Sequence, residues 1–250
     1  MTRYDGGVDG AKTSNASRRD APRGRIDKRQ AILEAAFRTF AREGYGQSCV
    51  REIAAEAGVA KPTIYNHLGD KETLFREAML AAVGRTSGAG PAALEQLREP
   101  DGDVRTMLEE AGHRILKNHC APESQALRWL LNAEAARFPD LLETIQREGP
   151  QRLHDALADR LARFALSGRL HTSDPDLAAE QFLALLTGPM ELRTRLGTRK
   201  VSDAELRTVG RAAVDTFLRA YAPRADDGFN LLTQQLDGPA ARFGGSEGQD

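Results

Sequence analysis

The sequence predicts an all-α chain of about nine helices, and three observations carry that prediction. Apolar residues recur at i, i+3, i+4 and i+7 through most of residues 25–222. No run of β-branched residues alternates with polar ones at the period of two that a half-buried strand requires. Gly and Pro fall where one periodic segment gives way to the next, as they do at helix ends and kinks.

The elements follow in order. Residues 1–24 hold almost no apolar side chains and are expected as a disordered basic arm. Leu33, Phe37 and Phe40 form the apolar stripe of the first helix, and Gly44 is placed to stop it. A second helix runs from about Cys49 to Glu56, and a third from about Lys61 to Leu68. Asp70 can cap a fourth, which carries Leu74, Phe75, Ala78 and Met79. Residues 84–92 read as a break or a frayed end. Val104, Leu108, Ala111 and Ile115 mark the next helix, and residues 123–136 the one after it. Phe138-Pro139 ends that helix, because the residue before a proline is driven out of the α region. A long helix follows with Leu153, Leu157, Leu161 and Phe164, kinked at Gly149-Pro150. Asp174 caps and Pro175 opens a helix reaching about Leu196, with a second kink at Gly188-Pro189. Ser202 and Glu205 make a capping box for the last helix, which ends near Tyr221. Residues 223–250 are expected as a disordered tail, with a short LLTQQL piece inside it.

Composition excludes several classes. A content of 40% hydrophobic and 28% charged residues is that of a globular protein rather than a disordered one. No apolar stretch approaches the ~20 residues needed to cross a bilayer, and the N-terminus lacks a leader's apolar core, so a cytoplasmic home is expected. Cys49 and Cys120 stand far apart without metal spacing, and no two of the five histidines lie at i, i+3 or i+4. No metal, cofactor or catalytic motif is therefore expected, and the chain is read as no enzyme. Charge is unevenly spread. Residues 1–80 hold 14 Lys/Arg against 11 Asp/Glu, and the remaining 170 hold 21 against 25. The basic N-terminus is either a solvated tail or an arm that adds phosphate attraction.

Residues 48–75, SCVREIAAEAGVAKPTIYNHLGDKETLF, are the informative segment. Val50, Ile53, Ala54 and Ala57 give the second helix one apolar face, and Gly58 permits the φ > 0 turn after it. Val59 plugs the turn and Ile64 faces back toward Ala54, where a small side chain lets two helices cross closely. The result is a helix-turn-helix at about 49–68 that needs Leu33, Phe37, Phe40 and the fourth helix as backing. Lys61, Thr63, Tyr65, Asn66 and His67 remain outside, beside a helix N-terminus. Lys71 opens the fourth helix, where its ammonium and the free N–H groups can share one phosphate.

This segment resembles the DNA-binding domain of the TetR/AcrR family of transcription regulators. The matching residues are Ser48, Ile53-Ala54, Ala57-Gly58-Val59, Tyr65 and Lys71, with Ile32, Ala35, Phe40 and Gly44-Tyr45 before them. The likeness covers about residues 26–80. It implies phosphate contacts from Ser48, Tyr65, His67 and Lys71, with Lys61, Pro62, Thr63 and Asn66 facing the major groove. Lys61 on guanine and Asn66 on adenine are the pairings geometry allows. The chain departs from the family at Ala60, which lacks the usual capping hydroxyl, at Pro62, which removes a donor, and at Leu68, which replaces a core Phe.

The same likeness divides the chain into an arm (1–24), a DNA-binding domain (25–85), a helical effector-binding and dimerisation domain (86–222) and a tail (223–250). It implies a ligand-responsive homodimeric repressor whose partners are operator DNA, a second copy and a small-molecule effector. The last two long helices would form the dimer interface through Phe182, Leu186, Met190, Val214, Phe217 and Leu218; as residues alone these serve equally as monomer core. Residues 129–143 resemble the C-terminal domain of AefR-like members through Glu134, Arg137 and the Phe138-Pro139 corner. Trp129, Asn132 and Glu134 are candidates to line a ligand pocket, although an aromatic at helical spacing is usually core. An all-α ligand-binding enzyme and a dimeric adaptor without DNA binding are the alternatives. Salt-dependent DNA affinity separates them from the regulator.

Overall fold

The structure, a computed structural model, describes residues 21–98 and 102–223. Most of the expected arm and tail, including the LLTQQL piece, lies outside the described residues. The chain divides into two compact units. Among the described residues, one comprises those up to Ala82 together with Trp129–Leu141, and the other those of Val83–Arg128 together with those from Leu142. Among the described residues no strand occurs.

The first unit begins with α1 (Ala21–Gln47). Residues 21–24, expected in the unstructured arm, are helical, and Pro22 is tolerated because it falls in the first turn. Ile32, Leu33, Ala36, Phe37 and Phe40 are buried. Gly44 breaks the helical geometry at φ 77°, ψ 166°, as a stop residue should, and helical bonding resumes to Gln47. The next helix, α2 (Val50–Glu56), buries Val50, Ile53 and Ala54. Its Glu56 carboxylate accepts from Arg38 Nε at 2.7 Å and Thr39 Oγ1 at 3.0 Å, tying α2 to α1. Those donors hold the Glu56 carboxyl below the usual carboxylate range.

Gly58 then takes φ 66°, and Val59 N–H donates to the Ala54 carbonyl at 2.9 Å, closing the turn. In α3 (Lys61–Leu68) Ile64 and Leu68 point inward. Asp70 caps α4 (Lys71–Ser87) by accepting from Thr73 N–H at 2.7 Å. Behind these helices Phe40, Tyr45 and Phe75 pack with Phe138, from far along the chain. The Phe40–Phe75, Tyr45–Phe75, Tyr45–Phe138 and Phe75–Phe138 centroids lie 5.0–5.1 Å apart, mostly edge to face. Phe138 sits between α7 (Pro122–Glu134) and α8 (Pro139–Gln146).

The second unit is helical throughout. The break expected at residues 84–92 is smaller than the composition suggests, since α4 continues to Ser87 and α5 (Ala89–Ala93) follows. Side-chain anchors explain the continuation. Arg85 pairs with Glu123 at 2.6 Å, and Asn118 Nδ2 donates to the Thr86 carbonyl at 3.3 Å. Asp103 caps α6 (Val104–His119) through Thr106 N–H at 2.9 Å. The expected kink at Gly149-Pro150 appears as a π-helical turn (Arg147–Gln151) leading into α9 (Arg152–Leu166).

Asp174 accepts from Leu177 N–H at 2.9 Å at the start of α10 (Pro175–Thr194), which carries Pro189 inside. That helix ends two residues before the expected Leu196, with Arg195 and Leu196 at φ 50° and 57°. Only half of the expected capping box forms at α11 (Asp203–Tyr221). Ser202 Oγ accepts from Glu205 N–H at 3.2 Å, while the Glu205 carboxylate turns to Arg193 and Arg199. Charge-assisted pairs outcompete the return bond to Ser202.

His119 illustrates how burial overrides a helix end. A charged imidazole in the last turn of α6 would be favoured by the helix dipole by about 0.3–1 kcal/mol. Burial works against the charge, assisted by the nearby Arg128 cation, and pushes the pKa from 6.5 down to about 4. Arg128 Nη2 also donates to the His119 carbonyl at 2.8 Å. The unfolded chain takes up this proton below its ordinary pKa, and the folded chain does not until near pH 4. Stability from this group is therefore complete above about pH 6.5 and is lost as pH falls toward 4, by up to roughly 3 kcal/mol. Melting temperatures at pH 7 and pH 5 should differ by less in His119→Asn than in the parent. An equal difference would assign the acid lability elsewhere.

Candidate nucleic-acid interface

The apolar positions of α3 dictate which of its residues are outside. With Ile64 and Leu68 inward, Lys61, Pro62, Tyr65 and Asn66 are exposed, and Thr63 and His67 are half-buried at the flank. Tyr65 stands 42% exposed, with Lys61 Nζ 5.5 Å from its ring centroid. The missing cap expected at Ala60 is seen, since no side chain bonds the helix start. Pro62 lies in the first turn, so the helix forms and one N–H is absent from the exposed end. Lys61, Thr63, Tyr65, Asn66 and His67 thus share one short helix beside the Gly58 turn.

Lys71 is held in place by its neighbours. Its Nζ lies 4.8 Å from the Tyr45 ring centroid and donates to the Gly46 carbonyl at 3.4 Å. Burial raises the Tyr45 phenol above its usual range, the largest of several influences. A neutral ring therefore lies beneath the ammonium.

Ser48 is placed differently from its expected role. It is 5% exposed and its hydroxyl donates to the Tyr45 carbonyl at 2.9 Å. That bond fixes the loop before α2 and leaves the hydroxyl no donor for a phosphate. Arg51 was not singled out from the sequence, yet it is exposed on α2. The inward spacing of Val50, Ile53 and Ala54 was the signal that turns residue 51 outward.

The remaining candidates are not brought into a site. Trp129 is 51% exposed, Asn132 is exposed and Glu134 is half-buried, all within the first unit. Leu127 and Leu130 take the inward face of α7, which turns Trp129 and Asn132 outward rather than into a pocket. The expected dimer residues lie inside the single chain. Phe182, Leu186, Met190, Val214 and Phe217 are at most 1% exposed in the single chain, and Leu218 is half-buried against them. They form the core of the second unit, with Phe182 and Phe217 edge to face at 5.0 Å. The apolar residues left outside on α10 and just after it are Leu177, Leu192 and Leu196.

A short solvent-facing helix set on a glycine turn, flanked by cations that have no carboxylate partner among the described residues, defines a helix-turn-helix DNA-binding transcription regulator. Residues 32–78 match the family described as bacterial regulatory proteins, tetR family, and residues 106–223 match the AefR-like transcriptional repressor C-terminal domain. The chain belongs to the TetR/AcrR family of transcription regulators. It is similar to the transcriptional repressor AcnR of Corynebacterium efficiens, at 29% identity over 153 residues, covering 60% of this chain and 72% of that one. A TetR-family regulator from Mesorhizobium loti matches in structure with TM-score 0.72 and 29% identity, covering 79% of this chain and 98% of that one. The Flavonoid-responsive Regulator FrrA matches with TM-score 0.64 and 26% identity, covering 80% of this chain and all of that one. No helix of the described residues is long and apolar enough to cross a membrane.

Proposed function

We propose that the chain is a cytoplasmic, ligand-responsive, homodimeric repressor that reads a pseudo-palindromic operator through α3. The observation that carries this reading is the exposed edge of α3, with Lys61, Tyr65 and Asn66 outward and Lys71 pinned beside it. Tyr65, His67 and Lys71 grip phosphates and set the register. Lys61, Thr63 and Asn66 address base edges in the major groove, and Pro62 contacts it without donating. Ser48 acts indirectly, by fixing the loop. Two copies place their α3 helices in successive major grooves, roughly 34–36 Å apart.

Dimerisation is assigned to the outward face of α10, through Leu177 and Leu192, rather than to the buried residues of the same helices. The effector is a small molecule bound by the second unit, a reading supported by the ligand response that names FrrA. To release DNA it must bind the two states of the dimer unequally.

The test is the double variant Tyr65→Ala, Lys71→Ala. Its affinity should fall by about the same factor, ~10- to 100-fold, on operator and random duplex alike. The slope of log affinity against log salt should shrink by about two, for the ammonium lost from each copy of the dimer. Operator binding as tight as the parent's would overturn the assignment.

A further inference from the structure

The cations of the first unit whose side chains are described fall into two groups. Arg29, Arg38, Arg42 and Arg76 are neutralised by carboxylates, at 2.6 Å to Glu77, 2.7 Å to Glu56, 2.8 Å to Glu43 and 2.6 Å to Asp140. Lys28, Arg51, Lys61, Lys71 and Arg137 have no carboxylate within ion-pair distance among the described residues. Arg51, Lys61 and Lys71 belong to the helix-turn-helix and its flank. Arg137 comes from the Phe138-Pro139 corner, more than sixty residues further along the chain.

Its placement is specific. The Arg137 guanidinium lies 4.3 Å from the Tyr45 ring centroid, and Lys71 Nζ lies 4.8 Å from the same centroid. The two charges are therefore within about 9 Å of each other, inside one Debye length at ordinary salt. Phe138, with its ring 5.5 Å from the guanidinium, is anchored in the aromatic core and fixes where Arg137 stands. Of the carboxylates near Tyr45, Glu134 is not within ion-pair distance of Arg137 among the described residues, and the others have partners of their own. Arg76 takes both Glu72 and Asp140, and Asp70 accepts from the Thr73 amide. Arg137 is exposed, so its N–H donors remain available. A guanidinium stacked on a ring is also the donor best shaped for a phosphate.

We infer that Arg137 is a further DNA-backbone contact, which extends the phosphate grip of Lys71 with a cation supplied from outside the helix-turn-helix. The inference rests on the DNA-binding reading above. It gives the corner a role in the activity beyond ending a helix, and makes the 129–141 segment part of the reading head.

The experiment uses the full-length chain and two probes: a duplex recovered by the parent protein from a random-sequence pool, and an unselected duplex. Arg137→Gln should weaken both by a similar factor. With one Arg137 from each copy of the dimer, its salt slope should fall by about 1.8, so that between about 50 and 200 mM salt the parent loses about twelvefold more affinity than the variant. Arg137→Lys, which keeps the charge, should restore the slope. A merely structural role lowers affinity or melting temperature without moving the slope, and an unchanged slope in a folded Arg137→Gln would overturn the inference. A parent that binds neither probe would instead overturn the DNA-binding reading on which it stands.

Discussion

Replacing Phe138 with alanine should cost the first unit about 3–5 kcal/mol and abolish operator binding at temperatures where the parent is fully folded. Phe138 is buried, stacks on Phe75 and meets Tyr45 edge-on, with the Arg76 guanidinium 5.0 Å from its ring. Truncation removes the transfer energy of the ring and opens a cavity against two other aromatics. It also ends at least two aromatic pair contacts worth about 0.5–1.5 kcal/mol each. Against the roughly 5–15 kcal/mol that holds a domain together, the loss is a large share of the margin. Tyr45 carries Lys71 on its face, so the DNA contact loosens with the core. Trp129, the chain's single tryptophan, belongs to the same unit and gives a fluorescence probe of its unfolding. Phe138→Leu, which keeps most of the volume, should cost under about 1.5 kcal/mol. An alanine variant within about 1 kcal/mol of the parent would show that the aromatic cluster contributes little.

The role of Phe138 also marks a limit of sequence reading. Phe138-Pro139 is legible as a helix end because proline acts on its immediate neighbour. That the phenylalanine closes a cluster with Phe40, Tyr45 and Phe75 depends on a contact across more than sixty residues, which no local rule encodes. The helix-turn-helix was legible for the opposite reason. Its turn needs a positive φ at Gly58, its faces follow from apolar spacing at 50, 53, 54, 64 and 68, and all of this lies within twenty residues. Ser48 falls between the two cases. Its residue type was readable, but whether the hydroxyl met solvent or the Tyr45 carbonyl depended on the path of the chain after Gly44. Trp129 departed from its class, since the inward face of α7 was already filled by Leu127 and Leu130.

The α10 and α11 stripes pose the sharper question, because periodicity identifies an apolar face without saying which body covers it. The structure covers Phe182 with its own chain. It packs edge-on to Phe217, and α6 comes close enough that a Cβ on Gly112 would stand 3.0 Å from Leu186 and 3.7 Å from Phe182. Phe182→Ala should therefore destabilise the second unit by about 3–5 kcal/mol, and the loss should be the same at about 1 µM and about 50 µM protein, because the broken contacts lie within one chain. Leu192 is 87% exposed and belongs to the other case. Leu192→Glu should leave the stability of the isolated chain within about 0.5 kcal/mol of the parent and act instead on association, so that the stability it costs is larger at about 50 µM than at about 1 µM, where less of the parent is dimeric. Chemical unfolding at both concentrations, paired with a mass measurement on each variant, separates the two. A Phe182→Ala protein that stays as stable as the parent but dissociates would return Phe182 to the interface and overturn the assignment of α10's inward face to the core.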